Sequence, residues 1–175
     1  MADIGRDKTA LLFVDIDDVI CLNQPYGGYH VSQPAARRPT DLWEKLWHGP
    51  STDALKEIMS EHHPKIVITS SWLKFMGRDG FEALFHVTGL SGVANALHDA
   101  WEAPQNRGQT RCETIEKWMA SHYQNEQFVV LDDALSGTGL AGSKLDSVGR
   151  VILCEVGKGL GKKHVELVRR VLAQR

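Results

Sequence analysis

Ala10-Leu11-Leu12-Phe13-Val14-Asp15-Ile16-Asp17-Asp18-Val19 is the stretch on which the reading of this chain turns. Five apolar residues run straight into a group of acids. An unbroken apolar run of this length is the pattern of a strand buried on both faces, as in a parallel sheet. Open parallel sheets bind ligands in the crevice beyond the carboxyl ends of their strands, which is where these acids fall. Side chains alternate along a strand, so Asp15 and Asp17 are expected to face the same way. Two carboxylates about 4–5 Å apart repel by a few kcal/mol at an effective dielectric of ~20. A bound cation or a shared proton relieves such a pair.

Working outward, strand and helix signals alternate. Residues 21–39 hold Pro25, Gly27, Gly28, Pro34 and Pro39 and read as a loop or short β-flap, with Tyr26 and Tyr29 at its tip. Helical spacing follows over 42–47 and 53–62, and Pro64 stops the second helix. Ile66-Val67-Ile68 is a second buried strand, running into Thr69-Ser70-Ser71-Trp72. A short helix is expected over 80–87, with Asp79 and Glu82 at capping-box spacing, whereas 88–106 has no clear period. Thr110-x-x-Glu113 is a stronger capping box, and Ile115, Trp118 and Met119 continue it as an apolar stripe. Phe128-Val129-Val130-Leu131 is a third buried strand ending in Asp132-Asp133. A weaker strand over 151–154 precedes an amphipathic helix from about Gly161. Apolar strands alternating with helices imply an α/β fold with a central parallel sheet and helices on both faces.

The bulk composition narrows the class. A chain of 175 residues, 42% hydrophobic, is long enough for one self-standing domain, read as 1–175 with a small flap insertion at about 21–39. A formal net charge of −2 counts against a globally basic nucleic-acid binder. Cys21, Cys112 and Cys154 are widely spaced without C-x-x-C, so they read as reduced, mostly buried thiols, and a cytoplasmic location is expected. The N-terminal residues are polar and the first apolar run is too short for a signal or a membrane span, so no membrane partner is expected. The oligomeric state is not legible.

Three strands thus end in polar clusters of different kinds: Asp15/Asp17, Thr69/Ser70/Ser71 and Asp132/Asp133. A parallel sheet places all three on one edge. Carboxylates hold hard cations, hydroxyls donate to phosphate oxygens, and Arg111 in the first turn of a helix offers a compensating positive charge.

With these motifs, the chain is similar over almost its whole length to the haloacid dehalogenase (HAD) superfamily of phosphoryl-transfer enzymes. Phe13-Val14-Asp15-Ile16-Asp17 resembles that family's D-x-D motif, Ile66 to Ser70 its strand ending in Thr or Ser, and Val129 to Asp133 its strand ending in paired acids. Arg111 is the best match to the family's lone cation, with Arg107 as competitor. Ser70-Ser71-Trp72, Arg111-x-x-x-Ile115-x-x-Trp118 and Gly159-Leu160 further resemble the small HAD domains associated with bacterial RNA-repair proteins. The resemblance implies a three-layer Rossmannoid fold with a minimal cap, only a short flap.

It also implies an Mg²⁺-dependent phosphatase. Asp15 would be the nucleophile and Asp17 the general acid and base; Thr69 or Ser70, with Arg111, would hold the phosphate. Asp15, the main-chain carbonyl of Asp17, and Asp132, Asp133 or both would bind Mg²⁺. The second aspartate favours phosphatase over dehalogenase chemistry. The sequence departs from the family at Asp18, where relatives commonly have glycine. The expected partner is a phosphorylated substrate: a nucleotide, a nucleic-acid end or another phosphomonoester.

Other signals weigh less. Gly137-x-Gly139-x-x-Gly142 fits a dinucleotide-binding pattern but lacks its strand–turn–helix context, so a loop is expected. Gly157-x-x-x-Gly161-Lys162-Lys163 reads as a Gly-rich start of a helix. Trp72 is the tryptophan with a claim to stacking against a base, and Arg37-Arg38 to touching a phosphate backbone, against bland readings as core and solvated surface. Two rival functions are a non-catalytic phosphate- or partner-binding domain and a phospho-accepting receiver. The receiver needs its acceptor acid to precede the hydroxyl strand, whereas Thr69 precedes Asp132.

Overall fold

The computed structural model describes residues 9–135 and 138–174. In chain order the elements are β1 (Leu11–Val14), α1 (Gly28–Ser32), α2 (Leu42–Lys45), α3 (Gly49–His62), β2 (Lys65–Ile68), α4 (Arg78–Val87), α5 (Ser91–Asn95), β3 (Leu97–Glu102), α6 (Arg111–His122), β4 (Phe128–Asp133), α7 (Lys144–Ser147), β5 (Val151–Cys154) and α8 (Lys162–Ala173). The five strands form one sheet in the order β3-β2-β1-β4-β5, and every pairing is parallel.

Alternation along the strands splits the core in two. Leu12, Val14, Ile66, Ile68, Val129 and Leu131 face a layer built from α3, α4, α5 and α8. Leu11, Phe13, Val67 and Val130 face the opposite side, where α6 supplies Ile115 and Trp118. Helices therefore cover both faces, as the continuous apolar strands require. The thinner layer depends on Trp118, whose ring meets Phe13 edge-on at 5.1 Å and whose Nε1 donates to the Ala100 carbonyl at 2.7 Å.

Three local expectations change. Residues 21–39 form no strand among the described residues; they hold α1 and a single 3-10 turn, Ala35–Arg37. Gly27 is the N-cap of α1, so the segment is a loop with a short helix and not a β-flap. Asp79 and Glu82 do not form a capping box: α4 starts at Arg78 behind Gly77, and Glu82 pairs with Arg78 at 2.8 Å. Within the aperiodic stretch 88–106 lie α5 and β3. Strand β3 lies at the sheet edge, and its register with β2 shifts between Ile66 and Ile68, so its apolar pattern is broken. By contrast the Thr110–Glu113 box forms with both bonds, Glu113 N to Thr110 Oγ1 at 3.2 Å and Thr110 N to Glu113 Oε2 at 2.7 Å.

Since Trp118 packs on Phe13 and bonds to the Ala100 carbonyl, Trp118→Ala is expected to cost about 3–5 kcal/mol, measured as a lower urea midpoint at unchanged slope.

Candidate active site

The site is built by strand register. Val14 pairs with both Ile68 and Leu131, so the next residues, Asp15, Thr69 and Asp132, leave the sheet at one level. Asp15 N donates to the Leu131 carbonyl and Thr69 N to the Val14 carbonyl, each at 3.0 Å. From β1 the chain goes one way to β2 and β3, while β4 and β5 lie on the other side. The β1/β4 crevice is thus the point where strand order reverses, the usual ligand site of an open α/β sheet.

Arg111 fills that crevice from the start of α6. Its side chain is 4% exposed as a residue, with Nη2 at 3.7 Å from Asp15 Oδ1 and Nε at 3.3 Å from Asp132 Oδ2. Arg107 instead lies exposed in the turn before the helix. Asp15, Asp132 and Asp133 bring one carboxylate oxygen each to within 4.8 Å of one another, and all three residues are buried. Asp133 is anchored by accepting from Leu135 N at 2.8 Å, and Asp132 by accepting from Asp133 N at 2.8 Å.

Three carboxylates against one guanidinium leave a formal charge of −2 in a buried crevice. Burial, together with the Asp132 carboxylate, pushes the Asp15 carboxyl well above the usual carboxylate range, against the pull of Arg111. Asp15 Oδ1 makes no hydrogen bond among the described residues. An all-oxygen donor set with an unbalanced charge of two fits a hard divalent cation such as Mg²⁺.

The two hydroxyls separate cleanly. Ser70 Oγ accepts from Trp72 N at 3.3 Å and caps the 3-10 turn Ser71–Lys74. Thr69 Oγ1 is buried and makes no hydrogen bond among the described residues, so it retains its donor for a ligand.

The Asp15–Asp17 pair is arranged differently from the simple alternation of a strand. Strand β1 ends at Val14, and the backbone folds back so that Asp17 bridges to Cys21. The carboxylates grouped with Asp15 are Asp132 and Asp133, and Asp17 exerts the weakest of the influences on Asp15. Asp17 is instead held by three donors: Trp72 Nε1 at 3.1 Å from both oxygens, Asn23 Nδ2 at 3.1 Å and Ser71 Oγ at 3.3 Å. Sequence reading missed this role of Trp72, Asn23 and Ser71; its only trace was the tryptophan directly after the hydroxyl cluster. Trp72 is 1% exposed and is therefore no surface for stacking a base.

Asp18 acquires a structural role. It sits at φ 55°, in the left-handed region that glycine enters freely and aspartate tolerates. Its Oδ1 accepts from Gly157 N at 2.9 Å, tying the loop after β1 to the loop after β5.

A family model described as the HAD domain in Swiss Army Knife RNA repair proteins matches residues 11–165. The chain belongs to that family. No curated protein and no solved structure matches it. The matched span of this HAD domain includes every residue named for the site, from Asp15 to Asp133.

The secondary signals divide. Gly139 and Gly142 precede the one-turn α7, far too short for a dinucleotide fold, while Gly137 lies outside the described residues. Gly161 is the N-cap of α8, as its sequence context suggests. Arg38 donates to the Gln33 carbonyl and lies over the Trp43 ring at 5.5 Å. All three cysteines are free and buried, and burial pushes the Cys21 and Cys154 thiols up to about 12, which makes them poor nucleophiles. No described helix is long and apolar enough to cross a membrane.

The raised Asp15 carboxyl has a measurable consequence. The folded chain holds that proton more tightly than the unfolded chain does. The resulting stability is present below the unfolded value near 3.8 and is lost as pH rises through the folded value. Without divalent cations, Asp15→Asn is therefore expected to be more stable than wild type at neutral pH. Urea unfolding should show that gap closing as pH falls toward about 4.

Proposed function

We propose that this HAD domain is an Mg²⁺-dependent phosphomonoesterase that works through an aspartyl-phosphate on Asp15. The observation that carries this reading is the buried set of Asp15, Asp132 and Asp133 around a single Arg111, with the Thr69 hydroxyl at the same level. Mg²⁺ would be held by Asp15, Asp132 and Asp133 with the main-chain carbonyl of Asp17, and would supply positive charge to the phosphoryl oxygens.

An Asp15 carboxylate oxygen attacks phosphorus, and the ester P–O bond breaks with its electron pair on the leaving oxygen. Asp17 gives that oxygen a proton. Water then attacks the phosphorus of the acyl phosphate, Asp17 takes the water's proton, and the bond to Asp15 breaks to restore the carboxylate. Thr69 Oγ1 and Arg111 donate to the phosphoryl oxygens; Arg111 Nη1 makes no hydrogen bond among the described residues, so a donor remains for this task. Such preset donors supply most of the work in phosphoryl transfer.

We assign the substrate to phosphorylated nucleic-acid ends or nucleotides. The family description names RNA repair proteins. Between β1 and β2, residues 21–39 contribute only a five-residue helix and one 3-10 turn, little cover for a site that must admit a large substrate.

Hydrolysis of p-nitrophenyl phosphate, with Mg²⁺ and with chelator, tests the chemistry. Activity is expected only with Mg²⁺, and Asp15→Asn should reduce it to background. Thr69→Val should lose about 10²-fold, more than Ser70→Ala. Activity untouched in Asp15→Asn would remove the nucleophile assignment. A screen of nucleotides and of 3′- and 5′-phosphorylated oligonucleotides then tests the substrate. Binding of metal and phosphate with no turnover anywhere would favour the non-catalytic reading.

A further inference from the structure

We infer that Trp72 is the positioning residue for the proton carrier Asp17, and that Gly27 and Gly28 provide the space in which it does so. The inference rests on the reading of Asp17 as general acid and base.

The indole is locked before it meets the carboxylate. Trp72 stacks on Trp47 at 5.9 Å and 20°, and Trp47 stacks in turn on Phe85 of α4 at 6.3 Å. From that stack its N–H emerges 3.1 Å from each oxygen of Asp17. One donor shared equally between both oxygens fixes where the carboxylate sits. Asn23 and Ser71 then restrain one oxygen each. Those two contacts are solvent-exposed, whereas the indole is buried, so the rigid member of the cradle is Trp72.

The flap is fitted to this cradle. A Cβ on Gly28 would stand 2.8 Å from Trp72 Nε1 and 3.0 Å from Cε2, and one on Gly27 would stand 1.8 Å from Asn23 Oδ1. Gly27 is at φ −160°, extended backbone that any residue adopts. Close approach, and not backbone conformation, is therefore what a side chain there would meet, and the Asn23 amide would have to leave its place to admit it. The head of α1 lies directly on two of the three groups that hold Asp17.

Proton transfer to the leaving oxygen must be in place as the ester P–O bond breaks, so its loss matters most when the leaving group is basic. The test compares kcat/KM for phenyl phosphate and 2,4-dinitrophenyl phosphate, because dinitrophenolate departs without a proton. Trp72→Phe removes the N–H and leaves a smaller aromatic ring to stack on Trp47. It should lower kcat/KM about tenfold or more for the phenyl ester and by less than about threefold for the dinitrophenyl ester. Gly28→Ala, which crowds the indole Nε1 against Asp17, should show the same split. Adding Trp72→Phe to Asp17→Asn should cause no further loss on the phenyl ester.

Equal losses on both esters, or no loss on the phenyl ester, would overturn the inference. Should Trp72→Phe fail to fold by its thermal melt, Gly28→Ala decides alone. Wild type inactive on both esters and on every phosphorylated nucleotide and oligonucleotide of the screen removes the phosphatase reading and this inference with it. Wild type active on both, with no split in the variants, removes only the role of Trp72.

Discussion

Arg111 is buried between Asp15 and Asp132. A buried cation is tolerated only where opposite charges are delivered to it in fixed geometry, since removing one partner of such a set costs about 3–5 kcal/mol. Each surrounding feature serves that delivery. The common register of β1, β2 and β4 sets the level of the carboxylates and of Thr69. The Thr110–Glu113 capping box sets where α6 begins, and hence where Arg111 points. The Phe13–Trp118 contact holds α6 on the sheet from below. The thin face of the molecule is in effect the support of one guanidinium.

The same constraint explains why the two aspartates of the D-x-D motif have separate surroundings. Asp15 is enclosed with two further carboxylates and one cation, in a crevice whose charge invites a metal. Asp17 is held by neutral donors, Asn23, Ser71 and Trp72. Acid–base and nucleophilic roles are commonly divided between carboxylates by such differences of environment.

The loops of the site edge are tied to one another by hydrogen bonds within the protein. Asp18 reaches Gly157 in the loop after β5, and Leu160 N donates to the Val19 carbonyl at 2.8 Å. Gly159, at φ 68°, passes so close to Ser51 and the Val19 carbonyl that a Cβ would stand 2.6 and 2.9 Å from them. Asp18 thus occupies a position whose backbone suits glycine while adding a bond that glycine cannot make.

Local signals were enough for much of this protein. Apolar runs marked β1, β2 and β4; the capping box marked α6; and the acids and hydroxyls after the strands marked the site, because strand ends are encoded where apolar runs stop. The edge strand β3 stayed hidden, since it is half-exposed and its register shifts. The sequence by itself determined the fold class and the placement of the candidate site residues on one edge of the sheet. Only the tertiary structure decided which of them meet: Arg111 and not Arg107, Thr69 and not Ser70 as the hydroxyl left without a partner, and Asp132 and Asp133 grouped with Asp15. It also brought Trp72 to Asp17 across 55 residues of chain. The reason is physical: strand periodicity carries a side chain to an edge, but which atoms touch there depends on backbone folds and on packing between segments distant in sequence.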